Sequence, residues 1–467
     1  MINIQVPPMT QTRREFVTIA AGLAAMPSVA AAPPNILLLF PDQWRFDWTG
    51  ANPQLDVRTP NLDALAKRGA RFTRAIVASP LCAPSRACLA AGREYSNCGV
   101  PNNGFDYPLD QPTFYQKLRD RGYAVLGCGK FDLHKKTEDW GLDGKRLLKE
   151  WGFTDGIDNA GKQDAIRSGA VTPKDPYMAY LHRRGLAAAH VADFKKRKGY
   201  AATFPTPLDE EAYCDNWLAN NGLRLLRSVP KGKPWFLQVN FTGPHSPMDI
   251  TQRMERLVRG RQFPQPNGNT QYPPETHVAI RQNYTAMCEN IDRWAGEFLK
   301  VVEARGELAN TLVVFSSDHG DMLGDHDRWG KSVPYQPSVG VPLYVAGPGV
   351  KPGLVSDALV SIMDLTATFL DYAGASALPA MDSRSIRPVL EGKTRKHRDW
   401  LRSGLNTWRL AWDGRYKLVS GFESGKGARA EGAPAPPLLF DLEADPLENT
   451  NLAQRDPGRV AKMREML

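Results

Sequence analysis

Four strongly apolar runs punctuate the chain, at residues 35–40, 123–127, 235–241 and 311–316. An apolar run without alternation predicts a strand buried on both faces, as in a parallel sheet. Residues 71–77 and 341–346 predict two further strands. Between these runs the apolar period lengthens to that of helices. Thr59-Pro60 supplies an N-cap and a first helical position ahead of Leu62, Leu65 and Ala66. Residues 111–121 and 209–228 predict helices as well. Over 276–304, Tyr284, Cys288, Ile291, Trp294, Phe298 and Val302 recur every three or four residues, the stripe of a helix facing a core. Strands alternating with helices over roughly 340 residues predict an α/β fold, a mainly parallel sheet between helices.

The pattern changes near 374–379. Beyond it, 408–412 and 415–420 flank Asp413-Gly414, a strong hairpin signal. A large domain over 33–375 is therefore expected to be followed by a smaller α+β domain over 376–467 containing an antiparallel sheet. Residues 424–437, rich in Gly, Ala and Pro, predict a mobile loop. Residues 141–207 carry many Gly, Lys and Arg with little periodicity and read as an insertion that could shape a substrate entrance. At the start, Arg13-Arg14 precedes a short apolar stretch and Ala30-Ala31-Ala32. That layout, over 1–32, resembles a twin-arginine export signal and implies a periplasmic or secreted protein. It is too short to span a bilayer, and no other stretch is long and apolar enough.

Composition narrows the picture modestly. The length of 467 residues suits one large domain with a satellite, or two domains. A net charge of +9 favours anionic ligands. No segment interleaves basic residues with aromatics, so nucleic acid is not an expected partner. The densest basic run, 195–198, reads as a solvated helix face. Six cysteines show no disulfide or zinc spacing, and setting Cys82 aside leaves an odd number.

Candidate chemistry gathers where predicted strands end, the place where open α/β sheets collect ligands. Asp42-Gln43, Lys130 to His134, His245 and Asp318-His319 all follow such runs. Oxygen-rich sets of this kind suit a hard divalent cation. Cys82-Ala83-Pro84-Ser85-Arg86 adds a different element. Pro84 is favoured at a first helical position and Gly92 closes the helix, which places Cys82 just outside an N-terminus that attracts anions. Taken alone, Cys82 would be a buried structural cysteine.

The string C-x-P-S-R, with Gly92 six residues on, resembles the signature of the type I, formylglycine-dependent sulfatases of the alkaline phosphatase superfamily. Ala91 stands where the usual signature has Thr. The tail over 439–452 resembles the closing segment of many bacterial sulfatases. The resemblance implies an alkaline-phosphatase-like fold and oxidation of Cys82 by the formylglycine-generating enzyme. It also implies one divalent cation, calcium with magnesium or manganese as alternatives, on Asp42, Gln43, residue 82, Asp318 and His319. Many relatives have Asp-Asp and Asp-Asn at those two pairs. The replacements here resemble the choline-sulfatase and phosphonate-monoester-hydrolase branches, and their imidazole leaves manganese or zinc open.

For catalysis the resemblance implies Cys82, Arg86, Lys130, His245 and Lys331. Asp132 stands at the histidine of the family's G-K-x-H segment, so His134 is expected to supply the missing base. Asn103 is a weaker candidate, and His326 reads as a structural hydrogen-bonding group. The implied activity is hydrolysis of an anionic sulfate monoester, with a sugar sulfate expected. The alternatives are a phosphonate monoester or phosphodiester hydrolase, against which Ser85 argues, a choline-sulfatase-like enzyme, and a non-catalytic binding protein.

Overall fold

The computed structural model describes residues 32–268, 271–423 and 435–467. Residues 1–31, which carry the expected export signal, and 424–434 of the expected loop lie outside them. In chain order the strands are β1 (Asn35–Leu39), β2 (Ala70–Phe72), β3 (Ala75–Ile76), β4 (Ala124–Gly129), β5 (Asp155–Asp158), β6 (Trp235–Asn240) and β7 (Thr311–Phe315). They continue with β8 (Leu343–Ala346), β9 (Leu354–Ser356), β10 (Val360–Ser361), β11 (Leu401–Leu405), β12 (Trp408–Trp412), β13 (Tyr416–Ser420) and β14 (Leu438–Asp441).

Eight of them form one sheet in the order β5-β4-β6-β1-β7-β8-β2-β9. The pairings β5-β4, β4-β6, β6-β1, β1-β7 and β2-β9 are parallel, and β8 runs antiparallel to both its neighbours. This is the mainly parallel sheet that the apolar runs predict. Successive side chains of a strand point to opposite faces, so a strand covered on both sides is apolar on both. In β1, Ile36, Leu38 and Phe40 enter one apolar cluster while Leu37 and Leu39 enter the other.

One face is covered by the long helix Pro274–Ala304, whose six stripe residues all belong to the second cluster. The other is covered by the helix Cys82–Ala91, in which all ten residues are buried. That helix starts two residues earlier than Pro84 suggests. A proline at the third helical position is tolerated because N–H groups of the first turn lack intrahelical partners anyway. Gly92 ends it at φ 64, as expected, with its N–H on the Cys88 carbonyl.

Two other expectations change in detail. The run 71–77 is split into β2, in the large sheet, and β3, which pairs with β10. Thr59 is the N-cap residue of helix Pro60–Arg68, but its side chain accepts from Gly50 N–H. The first turn is instead capped from outside by Asp292, which accepts from Leu62 N at 2.8 Å and Asn61 N at 3.2 Å.

The segment 141–207 is more ordered than its composition suggests. It supplies edge strand β5 and the helices Lys162–Gly169, Pro176–Arg183 and Ala187–Lys196. After residue 376, β11 to β14 form the expected antiparallel sheet, with the β12–β13 turn held by Arg415 N and Tyr416 N on Asp413 Oδ1. Its Leu401, Leu405, Trp408 and Leu410 share the first apolar cluster with β1, and Pro33–Leu467 forms one compact unit. Among the described residues, no helix is long and apolar enough to cross a membrane.

Candidate active site and metal centre

The carboxyl ends of β1, β4, β6 and β7 lie side by side, and each delivers polar residues to one place. The ladder persists beyond the strands, with Asp42 N on Gly243 O at 3.1 Å and Lys130 N on Asn240 O at 3.1 Å. This fixes the backbone that carries Asp42, Lys130 and His245. Cys82 enters from the start of its buried helix.

Four groups converge there. A ligand atom from each of Asp42, Cys82, Asp318 and His319 lies within 4.8 Å of the others, and all four residues are buried. His319 Nε2 is 3.4 Å from Cys82 Sγ, 3.4 Å from Asp42 Oδ1 and 3.6 Å from Asp318 Oδ1. Its Nδ1 faces the Gly320 carbonyl at 3.0 Å, which can only accept, so Nδ1 carries the hydrogen. In the neutral ring Nε2 is then a bare lone pair aimed at two carboxylates and a sulfur. Electron-rich atoms crowded in this way, out of water, call for a cation between them, and the donor set fits a divalent metal.

Fixed positive charge surrounds the cluster. Lys130 Nζ contacts an Asp42 carboxylate oxygen and lies 2.9 Å from Asp132. Burial pushes the Asp42 carboxyl up, but Lys130, then His245, Lys331 and His319, hold it well below the carboxylate range. For Cys82, burial and Asp42 favour the thiol, yet Lys130, Lys331 and His319 bring it well below its ordinary value. Burial lifts Asp318 above the ordinary range despite Arg86. Lys331 Nζ sits 3.2 Å from Cys82 Sγ and 2.7 Å from Gln43 Oε1.

Asp42, Gln43, Cys82, Lys130 and Lys331 floor a cavity of about 630 Å³, also lined by His245, Tyr200 and Asn103. Asn103 Oδ1 accepts from Ala83 N at 3.0 Å, next to the cysteine. Gln43, at φ 73, donates its backbone N–H to Asp318 and turns its side-chain amide toward Lys331, Asp321 and Tyr200.

Two expected residues sit differently. Arg86 does not line the cavity. Its Nε and Nη2 lie 2.9 and 2.8 Å from Asp318 Oδ2, and Nη1 is 2.5 Å from the Lys130 carbonyl, so it holds Asp318 from behind. His134 also lies off the cavity. Its Nε2 is 2.8 Å from Asp158 Oδ2, and its ring packs edge-on against Trp140 and Trp151. Burial favours the neutral ring, but the Asp158 hydrogen bond raises its affinity for a proton. His326 stacks on Tyr335 and meets the Leu447 carbonyl at 2.8 Å, the structural part expected of it.

Sequence reasoning missed Asp321 and Tyr200. Asp321 accepts from Gly330 N, Gln43 Nε2 and the Tyr200 hydroxyl, and so ties the Lys331 loop to β1. Its place in Asp318-His319-Gly320-Asp321 was the available signal. Tyr200 lies in the irregular segment, where nothing local marked it.

A family model described as Sulfatase matches residues 34–375. An arylsulfatase of Clostridium perfringens (strain 13 / Type A) is 26% identical over 461 residues, 93% of each chain. A choline-sulfatase of Rhizobium meliloti (strain 1021) is 31% identical over 461 residues, 91% of this chain and 84% of the relative. Among solved structures, a phosphonate monoester hydrolase of Agrobacterium radiobacter superposes with a TM-score of 0.77 at 24% identity, covering 93% of this chain and 94% of its own.

Proposed function

The chain belongs to the sulfatase family of the alkaline phosphatase superfamily and is a sulfatase hydrolase, and from that premise we propose that it hydrolyses sulfate monoesters at residue 82. The observation that carries the reading is the convergence of Cys82, Asp42, Asp318 and His319, of which Asp42 and Cys82 line a cation-rich cavity. The residue set suits oxidation of Cys82 to formylglycine by a maturation enzyme, and one divalent cation, calcium by its oxygen donors. Such a cation would draw charge from a sulfate oxygen, and a hydrated aldehyde at 82 would supply the attacking hydroxyl.

The chain's own residues do the rest. Asp318, fixed by Arg86 and Gln43 N–H, accepts the hydrogen bond of a hydroxyl at 82 and aims it. Lys130 neutralises Asp42, which keeps an anionic substrate from meeting an uncompensated carboxylate. Lys331 and His245 face the cavity and can protonate the departing oxygen, without which an alkoxide is a poor leaving group. His134, held on Asp158, braces the loop that carries Lys130, since Asp158 also accepts from Phe131 N at 3.3 Å.

A saccharide sulfate is the proposed natural substrate class, acted on in the periplasm or outside the cell. Matched 4-nitrophenyl sulfate and phenylphosphonate esters test the reaction class. The sulfate is expected to turn over with the higher kcat/KM, and the reverse order would reassign the enzyme as a phosphonate hydrolase. Replacing Arg13-Arg14 by Lys-Lys is expected to strand active enzyme in the cytoplasm, and unchanged export would refute the twin-arginine route.

A further inference from the structure

The wall of the cavity away from residue 82 is built by one segment. Lys135, Lys136, Lys162 and Arg167 line it together with Glu138 and Asp164, and Asp132 pairs with Lys135 at 3.0 Å and Asp249 with Lys162 at 2.7 Å, which leaves Lys136 as the unpaired charge. Glu138 and Asp164 are engaged as well. Asp164 is 2.5 Å from Lys135 Nζ and 2.7 Å from Arg167 Nη2, and Glu138 accepts from Arg167 Nε at 2.9 Å. Lys136 is exposed and forms no ion pair among the described residues, so its ammonium is free to meet a ligand. Gly161 to Asp164, the cap and first turn of helix Lys162–Gly169, line the same wall, and a helix start of this kind adds to the positive field. Gly161 is also where a side chain would collide with Lys130, at 2.8 Å from its Cε, so the wall and the catalytic floor are fitted to each other.

A cationic ester group would be poorly received. Quaternary ammonium ions are held by aromatic faces. Among the described lining residues the one Phe, Tyr or Trp is Tyr200, whose hydroxyl is bound to Asp321 at 2.9 Å. With a volume of about 630 Å³ the cavity has room for a group well beyond the sulfate.

We propose that this wall receives a second anionic group of the same substrate molecule, so that the preferred substrates are sulfate esters also bearing a carboxylate or a further sulfate, as acidic saccharides do, and not choline sulfate. The proposal rests on the sulfatase reading of the same cavity. Four aryl sulfates with a common leaving group test it, carrying on a side arm a carboxylate, a sulfonate, a neutral amide or a trimethylammonium group. The wild-type enzyme is expected to cleave the two anionic esters with kcat/KM about tenfold above the trimethylammonium ester, the amide falling between, and the spread should shrink as salt is added. Lys136→Glu, on an exposed side chain, should compress that spread about threefold or more, and Arg167→Gln should act in the same direction. The carboxylate and sulfonate arms show which anion the wall prefers. Equal turnover of all four, preference for the cation, or a spread untouched by Lys136→Glu would overturn the proposal. Failure to cleave any of them, with turnover of the matched phosphonate, would overturn the sulfatase reading itself.

Discussion

Replacing Lys417 by Met perturbs the catalytic loop from the far side of the molecule. Lys417 lies in β13, with about 1% of its side chain exposed, and contacts Glu448, which is equally buried. Its Nζ also donates to the Pro334 carbonyl at 2.8 Å, three residues beyond Lys331. Glu448 in turn accepts from Gln336 N at 2.6 Å, and Trp408 Nε1 reaches the Ser332 carbonyl at 3.3 Å. The small sheet, through Lys417 and Trp408, and the following Glu448 thus grip residues 332–336 at three points. Burial lowers the Lys417 pKa in spite of Glu448, a sign of how little water reaches the pair. Removing one partner of such a pair strands the other charge, at a cost of about 3–5 kcal/mol. Removing both charges together leaves no stranded ion. Urea unfolding of Lys417→Met should therefore show a loss of about 3–5 kcal/mol, with Lys417→Met/Glu448→Gln recovering most of it. Under conditions where the single variant stays folded, kcat for an aryl sulfate should fall about tenfold, because Lys331 loses its brace. A loss below about 1 kcal/mol, or additive losses in the double variant, would refute the reasoning.

Cys82→Ala should abolish turnover while leaving the unfolding transition close to wild type, checked by an aryl sulfate assay beside calorimetry. Arg86→Lys should lower kcat about a hundredfold with little change in KM, since Lys cannot hold Asp318 and the Lys130 carbonyl together. Asp175 has its carboxyl pushed up to about 7 by burial. A raised acid contributes stability that is complete below its unfolded value and lost as pH rises through the folded one. Asp175→Asn, which keeps the cap on Met178 N, should thus gain on wild type as pH rises from about 4 to about 7, by up to about 4 kcal/mol, and a constant difference over that range would contradict it. Elemental analysis should find one divalent ion per chain, removed by chelator together with activity, and two tightly bound zinc ions would refute the single-cation site.

What could be read from the sequence was what local pattern encodes. β1 and β7 announce themselves as apolar runs, and their last polar residues, Asp42 and Asp318, had to fall at strand ends. The Cys82 string was legible because its spacing is fixed within one helix. Other features depend on partners far along the chain. Thr59 looked like the cap of its helix, yet Asp292 performs that task from 231 residues away, as the Asn61 contact shows. Lys162 and Tyr200 reach the cavity because the segment that adds β5 beside β4 returns to the site, and no short-range period records that. Arg86 and His134 were expected among the catalytic residues, but whether a side chain faces substrate or supports a neighbour is decided by three-dimensional packing.

The most direct test is mass spectrometry of the peptide containing residue 82, taken from enzyme whose kcat on an aryl sulfate has been measured. The account predicts a mass in which the –CH₂SH of Cys82 has become –CHO, with kcat proportional to the converted fraction across preparations. Full activity in a preparation whose residue 82 is entirely unmodified thiol would contradict it.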